Sequence, residues 1–344
     1  MALWYDGPSM DLQKLQSIAK AMVAPGKGIL AIDESLPNSE KRFAKIGVPH
    51  TEENRRAYRE LLITAPGIEQ YINGMILFDE TIRQKTADGV PFPDALKQRG
   101  MMPGIKVEKG TKPLALYPGE VATEGLDGLR ERLIEYRDTF GAQFTKWRAV
   151  IGIGKDMPTA ACIKTNTHLL ARYAALCQEQ SLVPMTEPEV LIDGDHTIER
   201  CYEVCAQTWD ALFTELAELR VELSGLILKT SMVLSGKDCP EQADVETVAR
   251  MTVKCLREHV PAGTAGVVFL SGGQDDEKAT LHLNAMHQLG EKLPWPLSFS
   301  YGRGIQNPAL KLWAQDQKNN IEKAQGAAVE RARANALASE GKYV

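Results

Sequence analysis

Short apolar runs rich in β-branched residues recur along the chain, separated by longer stretches with helical periodicity. The first four are GILAID (28–33), YINGMILFD (71–79), MPGIKVE (102–108) and FTKWRAVI (144–151). The second four are LVPMTEPEV (182–190), GLILKTSMV (225–233), AGVVFLSGG (265–273) and PLSFSYGR (296–303). LQKLQSIAKAMVA precedes the first run, GLDGLRERLIEYRDTF the fourth, TAACIKTNTHLLARYAALCQEQ the fifth and RCYEVCAQTWDALFTELAELR the sixth. Strands alternating with helices predict an α/β fold with a parallel sheet and helical crossovers. Eight strands in about 300 residues is the count that closes a (β/α)8 TIM barrel. A doubly wound open sheet is the alternative, but the GxGxxG that usually follows its first strand is missing. With no repeat and no low-complexity linker, residues 1–344 are expected to form a single barrel domain. It would carry an N-terminal helical extension and a C-terminal helix with a short tail.

The polar residues inside these runs change the picture from fold to function. Six runs supply the ionisable groups of interest: Asp33, Lys106, Lys146 with Arg148, Glu187 with Glu189, Lys229, and Arg303. A seventh ends in Ser271-Gly272-Gly273. Charge in an apolar strand is costly unless it is paired. In a TIM barrel it projects into the mouth, where the C-terminal strand ends build the active site. A solvated strand end accounts for any one of these residues taken alone, but not readily for all of them in one barrel. Side chains alternate along a strand, so Lys146 and Arg148 share a face, as do Glu187 and Glu189.

Lys229 has apolar neighbours on its N-terminal side. Desolvation and nearby cations lower a lysine's pKa and raise the fraction present as a nucleophilic amine. Such an amine attacks a ketone and, on losing water, gives an iminium that acts as an electron sink. A lysine paired with a carboxylate on the next strand fits the position equally well. Glu187 and Glu189 flank Pro188. A carboxylate of raised pKa would shuttle the protons of imine formation, whereas two carboxylates neutralising Lys146 and Arg148 would be structural, and the two readings are compatible. Ser271-Gly272-Gly273 and Tyr301-Gly302-Arg303 end adjacent strands, where TIM barrels often hold phosphate on backbone N–H groups and a helix N-terminus. Ser35, Lys106 and Arg148 provide for a second anion elsewhere on the rim. Two phosphate sites across a Schiff-base lysine imply a bisphosphorylated sugar.

Composition mainly excludes. Charged residues make up 25% and the net charge is −5, which leaves no footprint for nucleic acid or an anionic membrane. No apolar run reaches the length of a membrane span. MALWYDGPSMD lacks the basic and apolar regions of a secretory leader, and the first arginine is Arg42, against an Arg-rich transit peptide. The cysteines at 162, 177, 201, 205, 239 and 255 contain no CxxC pair and read as reduced thiols. The six histidines form no HExxH or Cys/His cluster, so neither a metal nor another cofactor is expected.

Several longer segments together resemble class I fructose-1,6-bisphosphate aldolases. They are GKGILAIDES (26–35), TEENRRAYRELL (51–62), DGVPFPDALK (88–97), GIKVEKG (104–110), GLDGL (125–129) and AQFTKWRAVI (142–151). VPMTEPEVLIDGDH (183–196), LILKTSMV (226–233), FLSGGQ (269–274) and FSYGR (299–303) complete a likeness running from about residue 10 to the C-terminus. The resemblance implies metal-free, reversible cleavage of fructose 1,6-bisphosphate, with Lys229 as the Schiff-base nucleophile and Glu187 as the acid/base. It implies that Asp33 binds the C4 hydroxyl and helps break the C3–C4 bond, while Lys146 tunes the glutamates with support from Glu189. Ser271, Gly272, Gly302 and Arg303 would hold the phosphate of the dihydroxyacetone half, and Ser35, Arg42, Lys106 and Arg148 the other. A homotetramer in the cytosol or plastid stroma is the family's implied setting, with a sugar phosphate as substrate. Additional sedoheptulose 1,7-bisphosphate activity and a non-catalytic scaffold on the same fold are the rival readings. The chain departs from the family's pattern at Asn38, where a small hydroxyl residue is common, and at Thr230, where proline usually follows the lysine. It ends at GKYV, where many members continue into a tail with a catalytic tyrosine, and Tyr343 is not assigned that role.

Overall fold

The computed structural model describes residues 10–344; the leader-free reading of the first residues falls largely outside that range. Eight parallel strands close a barrel: β1 (Gly28–Ala31), β2 (Ile72–Leu77), β3 (Met102–Lys106), β6 (Phe144–Ile151), β7 (Val183–Val190), β8 (Ile227–Thr230), β9 (Gly266–Phe269) and β10 (Leu297–Tyr301). They follow one another around the barrel in chain order, and β10 pairs with β1 to close it. The expected (β/α)8 fold is therefore the observed one. An antiparallel hairpin, β4 (Thr111–Pro113) with β5 (Val121–Thr123), stands apart in the β3–β6 connection and was not foreseen.

Seven of the eight runs read from sequence are longer than the hydrogen-bonded strands; only 144–151 coincides. Asp33, Ser271 and Gly272 consequently lie just past strand ends, in the βα turns, and Arg303 opens the helix that follows β10. The overshoot has a physical cause. Ile32, Asp33 and Ser231–Ser235 remain buried although they lie beyond the ladder, and an apolar pattern reports burial rather than pairing.

The interior has two layers. One cluster lies between sheet and helices, with Trp147, Tyr173, Leu212, Phe269 and Trp313 among its members. The other fills the barrel itself: Ile29, Ile76, Phe144, Val183, Met185, Ile227 and Val268. Leu15, Ala19 and Met22 of the helix Leu12–Met22 join that second cluster and close the lower end of the barrel. Burying each of the two larger side chains contributes roughly 1.5–3 kcal/mol. Filling the lower barrel requires a gap at Gly104, where a Cβ would lie 2.2 Å from the Phe144 ring. With the bottom sealed by apolar side chains, the polar positions of the same strands are left at the opposite mouth.

Candidate active site

Register decides which side chains meet there. Lys106 of β3 stands opposite Lys146 of β6, and Arg148 of β6 opposite Glu187 of β7. The staggered, tilted strands of a barrel let side chains reach diagonally. Lys146 accordingly contacts Glu187 Oε2 at 2.9 Å, and Arg148 Nε contacts Glu189 Oε2, one step further along. From β8, Lys229 Nζ approaches the other oxygen of Glu187 at 3.1 Å. From the end of β1, Asp33 Oδ2 sits 3.0 Å from Lys146 Nζ, and its carbonyl accepts a bond from Lys106 Nζ. The result is one continuous chain of alternating charge, Lys106–Asp33–Lys146–Glu187–Lys229, whose members are all at most 8% exposed.

Burial and neighbours move these groups in opposite directions. Burial disfavours the Asp33 anion, yet Lys146, Lys106 and Lys229 outweigh it and hold the carboxyl well below the usual range. Burial likewise disfavours the Lys146 ammonium, but Asp33 and Glu187 raise its pKa above the ordinary lysine value. Lys229 goes the other way. Burial dominates, Lys146 adds to it, and the attraction of Glu187 does not restore the ordinary value, so its pKa is lowered. For Glu187, burial opposes ionisation but Lys146, Lys229 and Arg148 prevail, and the pKa falls. The raised carboxylate pKa that acid/base work suggested is thus not the resting condition, because two lysines share one carboxylate.

These groups line a cavity of about 460 Å³ that also takes in Arg42, Arg148, Glu189, Ser271, Gly272, Gly302 and Arg303. Of the catalytic and phosphate-binding residues that the resemblance implies, only Ser35 is missing from its wall. Ser35 precedes the helix Leu36–Ala44 and lines an adjoining cavity of about 820 Å³ together with Lys106 and Arg148. Asn38 borders both spaces, whereas Arg42 borders only the first and is bonded to Glu34 and Gln306. At the opposite wall, Ser271-Gly272-Gly273 forms a turn with positive φ at both glycines (55° and 92°). Gly273, whose φ of 92° L side chains rarely adopt, brings the turn against Arg303, where a Cβ would lie 3.4 Å from Nη2. Arg303 opens the helix Arg303–Gln315, whose first-turn N–H groups and dipole favour an anion.

Sequence reading passed over Glu34, Lys41, Glu108 and Ser300, which also line the cavity. Ser300 had a signal: in LSFSY it shares a face with Ser298, the alternation that identified Lys146 and Arg148. Thr230 donates nothing to the cavity; its hydroxyl accepts from Trp209 Nε1 at 3.2 Å and holds the strand end beside Lys229. Tyr343 lies against the helix Asp276–Gln288, where its N–H bonds Asn284 Oδ1 at 3.0 Å. All six cysteines are free and buried. Among the described residues no group of three or more His, Cys, Asp or Glu is arranged to hold a metal, and no helix is long and apolar enough to cross a membrane.

The model of one family, glycolytic fructose-bisphosphate aldolase class-I, matches residues 14–344. The chain belongs to the class I fructose-bisphosphate aldolase family. A probable fructose-bisphosphate aldolase class 1 from Xanthomonas axonopodis pv. citri is 62% identical over 97% of this chain and 99% of that protein. The cytosolic fructose-bisphosphate aldolase 4 of Arabidopsis thaliana is 50% identical, over 93% of this chain and 81% of its own length. Among solved structures, the fructose-bisphosphate aldolase of Plasmodium falciparum, in complex with TRAP and a small-molecule inhibitor, superposes with a TM-score of 0.95. It is 43% identical, and the match covers 99% of both chains.

Proposed function

We propose that this chain reversibly cleaves fructose 1,6-bisphosphate to dihydroxyacetone phosphate and glyceraldehyde 3-phosphate through a Schiff base on Lys229. The observation that carries the reading is a buried lysine of lowered pKa, 3.1 Å from a carboxylate that a second, firmly charged lysine also holds. The neutral amine of Lys229 attacks C2 of the ketose. Glu187, holding the proton it drew from the Lys229 ammonium, delivers it to the C2 oxygen, then takes a second proton from the nitrogen and passes it to the same oxygen, which leaves as water and gives the iminium. Asp33 accepts the proton of the C4 hydroxyl, the C3–C4 bond breaks, and its electrons pass into the iminium as an enamine. The aldehyde departs as glyceraldehyde 3-phosphate. Protonation at C3 and hydrolysis of the regenerated iminium release dihydroxyacetone phosphate and free Lys229. Lys146 stays charged throughout, which keeps Asp33 anionic and ready as a base.

The two ends of the cavity suit the two phosphates. Ser271, Gly272, Gly302 and Arg303 would hold the ketose end, and Lys106 and Arg148, with Ser35 and Asn38 beyond them, the aldehyde end. Arg303→Ala should raise the KM for the bisphosphate, since losing one charge-assisted phosphate contact costs roughly 1.5–3 kcal/mol. Steady-state kinetics checks this, and an unchanged KM would place the phosphate elsewhere. Chelation should leave the rate unchanged, because the carboxylates of the cavity are engaged by lysines and arginines rather than grouped as ligands. Loss of activity in EDTA that zinc restores would contradict it. The cytosolic plant relative supports the cytoplasm as the working compartment.

Borohydride trapping tests the whole reading. Incubation with dihydroxyacetone phosphate, reduction and peptide mass analysis should give a single adduct on Lys229. A folded protein that yields no adduct would leave the barrel without the proposed chemistry.

A further inference from the structure

Asp33 and Glu34 are consecutive at the end of β1, yet they join different networks. Asp33 faces the lumen lysines. Glu34 enters a second cluster, in which its Oε1 accepts from Arg42 Nη1 and, at 2.9 Å, from Gln306 Nε2. Its Oε2 lies 2.6 Å from Nη2 of Arg59, a guanidinium side chain only 5% exposed. Gln306 Nε2 also donates to the Ala31 carbonyl at 2.5 Å, and the Tyr58 hydroxyl donates to the Gln306 carbonyl at 3.2 Å. None of the steps or phosphate contacts proposed above uses Glu34.

We propose that Glu34 is a positioning residue that sets the span between the two phosphate-binding ends of the cavity. The inference rests on the aldolase reading and deepens it. On one side, Glu34 fixes the backbone beside Asp33, whose carbonyl holds the Lys106 ammonium. Lys106 belongs to the aldehyde end. On the other side, Gln306 lies one turn past Arg303 on the helix Arg303–Gln315, which presents the ketose end. One carboxylate thus ties both ends together. Its charge is required as well as its shape. Without it, the Arg42 and Arg59 guanidinia would lose the carboxylate they share, and removing one partner of such a buried pair is strongly unfavourable. Arg42 would then relax into the cavity, and the Arg303 helix would lose its tie to Glu34, keeping only the Gln306–Ala31 bond of the two that Gln306 Nε2 makes.

A bisphosphate engages both ends, whereas a ketose 1-phosphate engages one. Misplacing the ends relative to each other should therefore penalise the first substrate more than the second, while general damage to the chemistry would slow both alike. The experiment measures kcat and KM of wild type and Glu34→Gln with fructose 1,6-bisphosphate and with fructose 1-phosphate. Borohydride trapping with dihydroxyacetone phosphate runs alongside on both proteins. The bisphosphate-to-monophosphate ratio of kcat/KM should fall at least about tenfold, the equivalent of one charge-assisted contact, with the Lys229 adduct retained. A ratio that stays constant, whether or not both rates fall, overturns the proposal. A wild type that forms no adduct would instead sink the aldolase reading on which it rests. Should Glu34→Gln fail to fold, Gln306→Met removes the tie to the helix while leaving Glu34 paired with both arginines. The ratio should again fall, and an unchanged one overturns the proposal equally.

Discussion

Lys229→Ala should abolish cleavage, by a factor on the order of 10⁴ or more, as removal of a covalent nucleophile does elsewhere. The expectation depends on why the two other lumen lysines cannot substitute. Lys146 lies 3.0 Å from Asp33 and 2.9 Å from Glu187, and these carboxylates hold its proton against the opposing effect of burial. An ammonium so held is no nucleophile. Lys106 has a lowered pKa, chiefly through burial, but its Nζ is spent on the Asp33 carbonyl and stacks 4.8 Å from the Phe78 ring centroid. It sits at the phosphate end, away from Glu187. Only Lys229 combines a lowered pKa with a carboxylate able to move protons. The sign of the pH dependence follows. Lowering the pKa below the 10.5 of an ordinary lysine means that the neutral amine accumulates at lower pH than usual. The rate of borohydride-trappable adduct formation should therefore rise with pH and level off before that value. A variant that keeps cleavage near the wild-type rate, or a trapping rate that falls as the pH rises towards that plateau, would remove Lys229 from the nucleophile's place.

The sequence made the lumen legible because strand periodicity and cost pointed the same way. FTKWRAVI and PMTEPEV put charges two apart on strands that otherwise had to be buried, and only a polar barrel mouth accommodates that. The structure sets those pairs on neighbouring strands, offset by two residues, and makes them diagonal partners, Lys146 with Glu187 and Arg148 with Glu189. What was not legible is non-local. Glu34 stands beside Asp33 in IDES, but its meaning comes from Arg59, on the helix Glu52–Ile63, and from Gln306, 272 residues away. No pattern within a window of sequence links them. Arg42 illustrates the same limit: the family resemblance implies a phosphate ligand, and its engagement with Glu34 and Gln306 appears only once the chain is folded. The direction of the Glu187 pKa was hidden for a related reason, since it depends on how many cations reach one carboxylate.

That last point yields the second large effect, in Glu187→Gln. In the resting site Glu187 is shared by two cations, Lys229 on Oε1 and Lys146 on Oε2, and its proton affinity is low. When Lys229 gives up its proton and attacks, one of those cations disappears. The carboxylate's basicity therefore rises on carbinolamine formation, before the dehydration in which a proton must be taken from nitrogen and handed to the departing hydroxyl. Glutamine has nearly the same shape but can neither accept nor deliver that proton, and its amide N–H₂ would confront an ammonium. Cleavage should fall by about 10²–10⁴-fold, the range of a lost general acid–base group. The substitution also removes a counter-charge from Lys229, which lowers its pKa further and leaves more free amine. Attack and dehydration thus change in opposite directions: carbinolamine forms readily but is converted slowly to the iminium that borohydride reduces. Rapid-mixing trapping with dihydroxyacetone phosphate distinguishes the two steps. Slow appearance of the Lys229 adduct, in a variant that still binds the substrate, is the expected result. Adduct formation at the wild-type rate, with cleavage nonetheless impaired, would move Glu187 from imine formation to a later step.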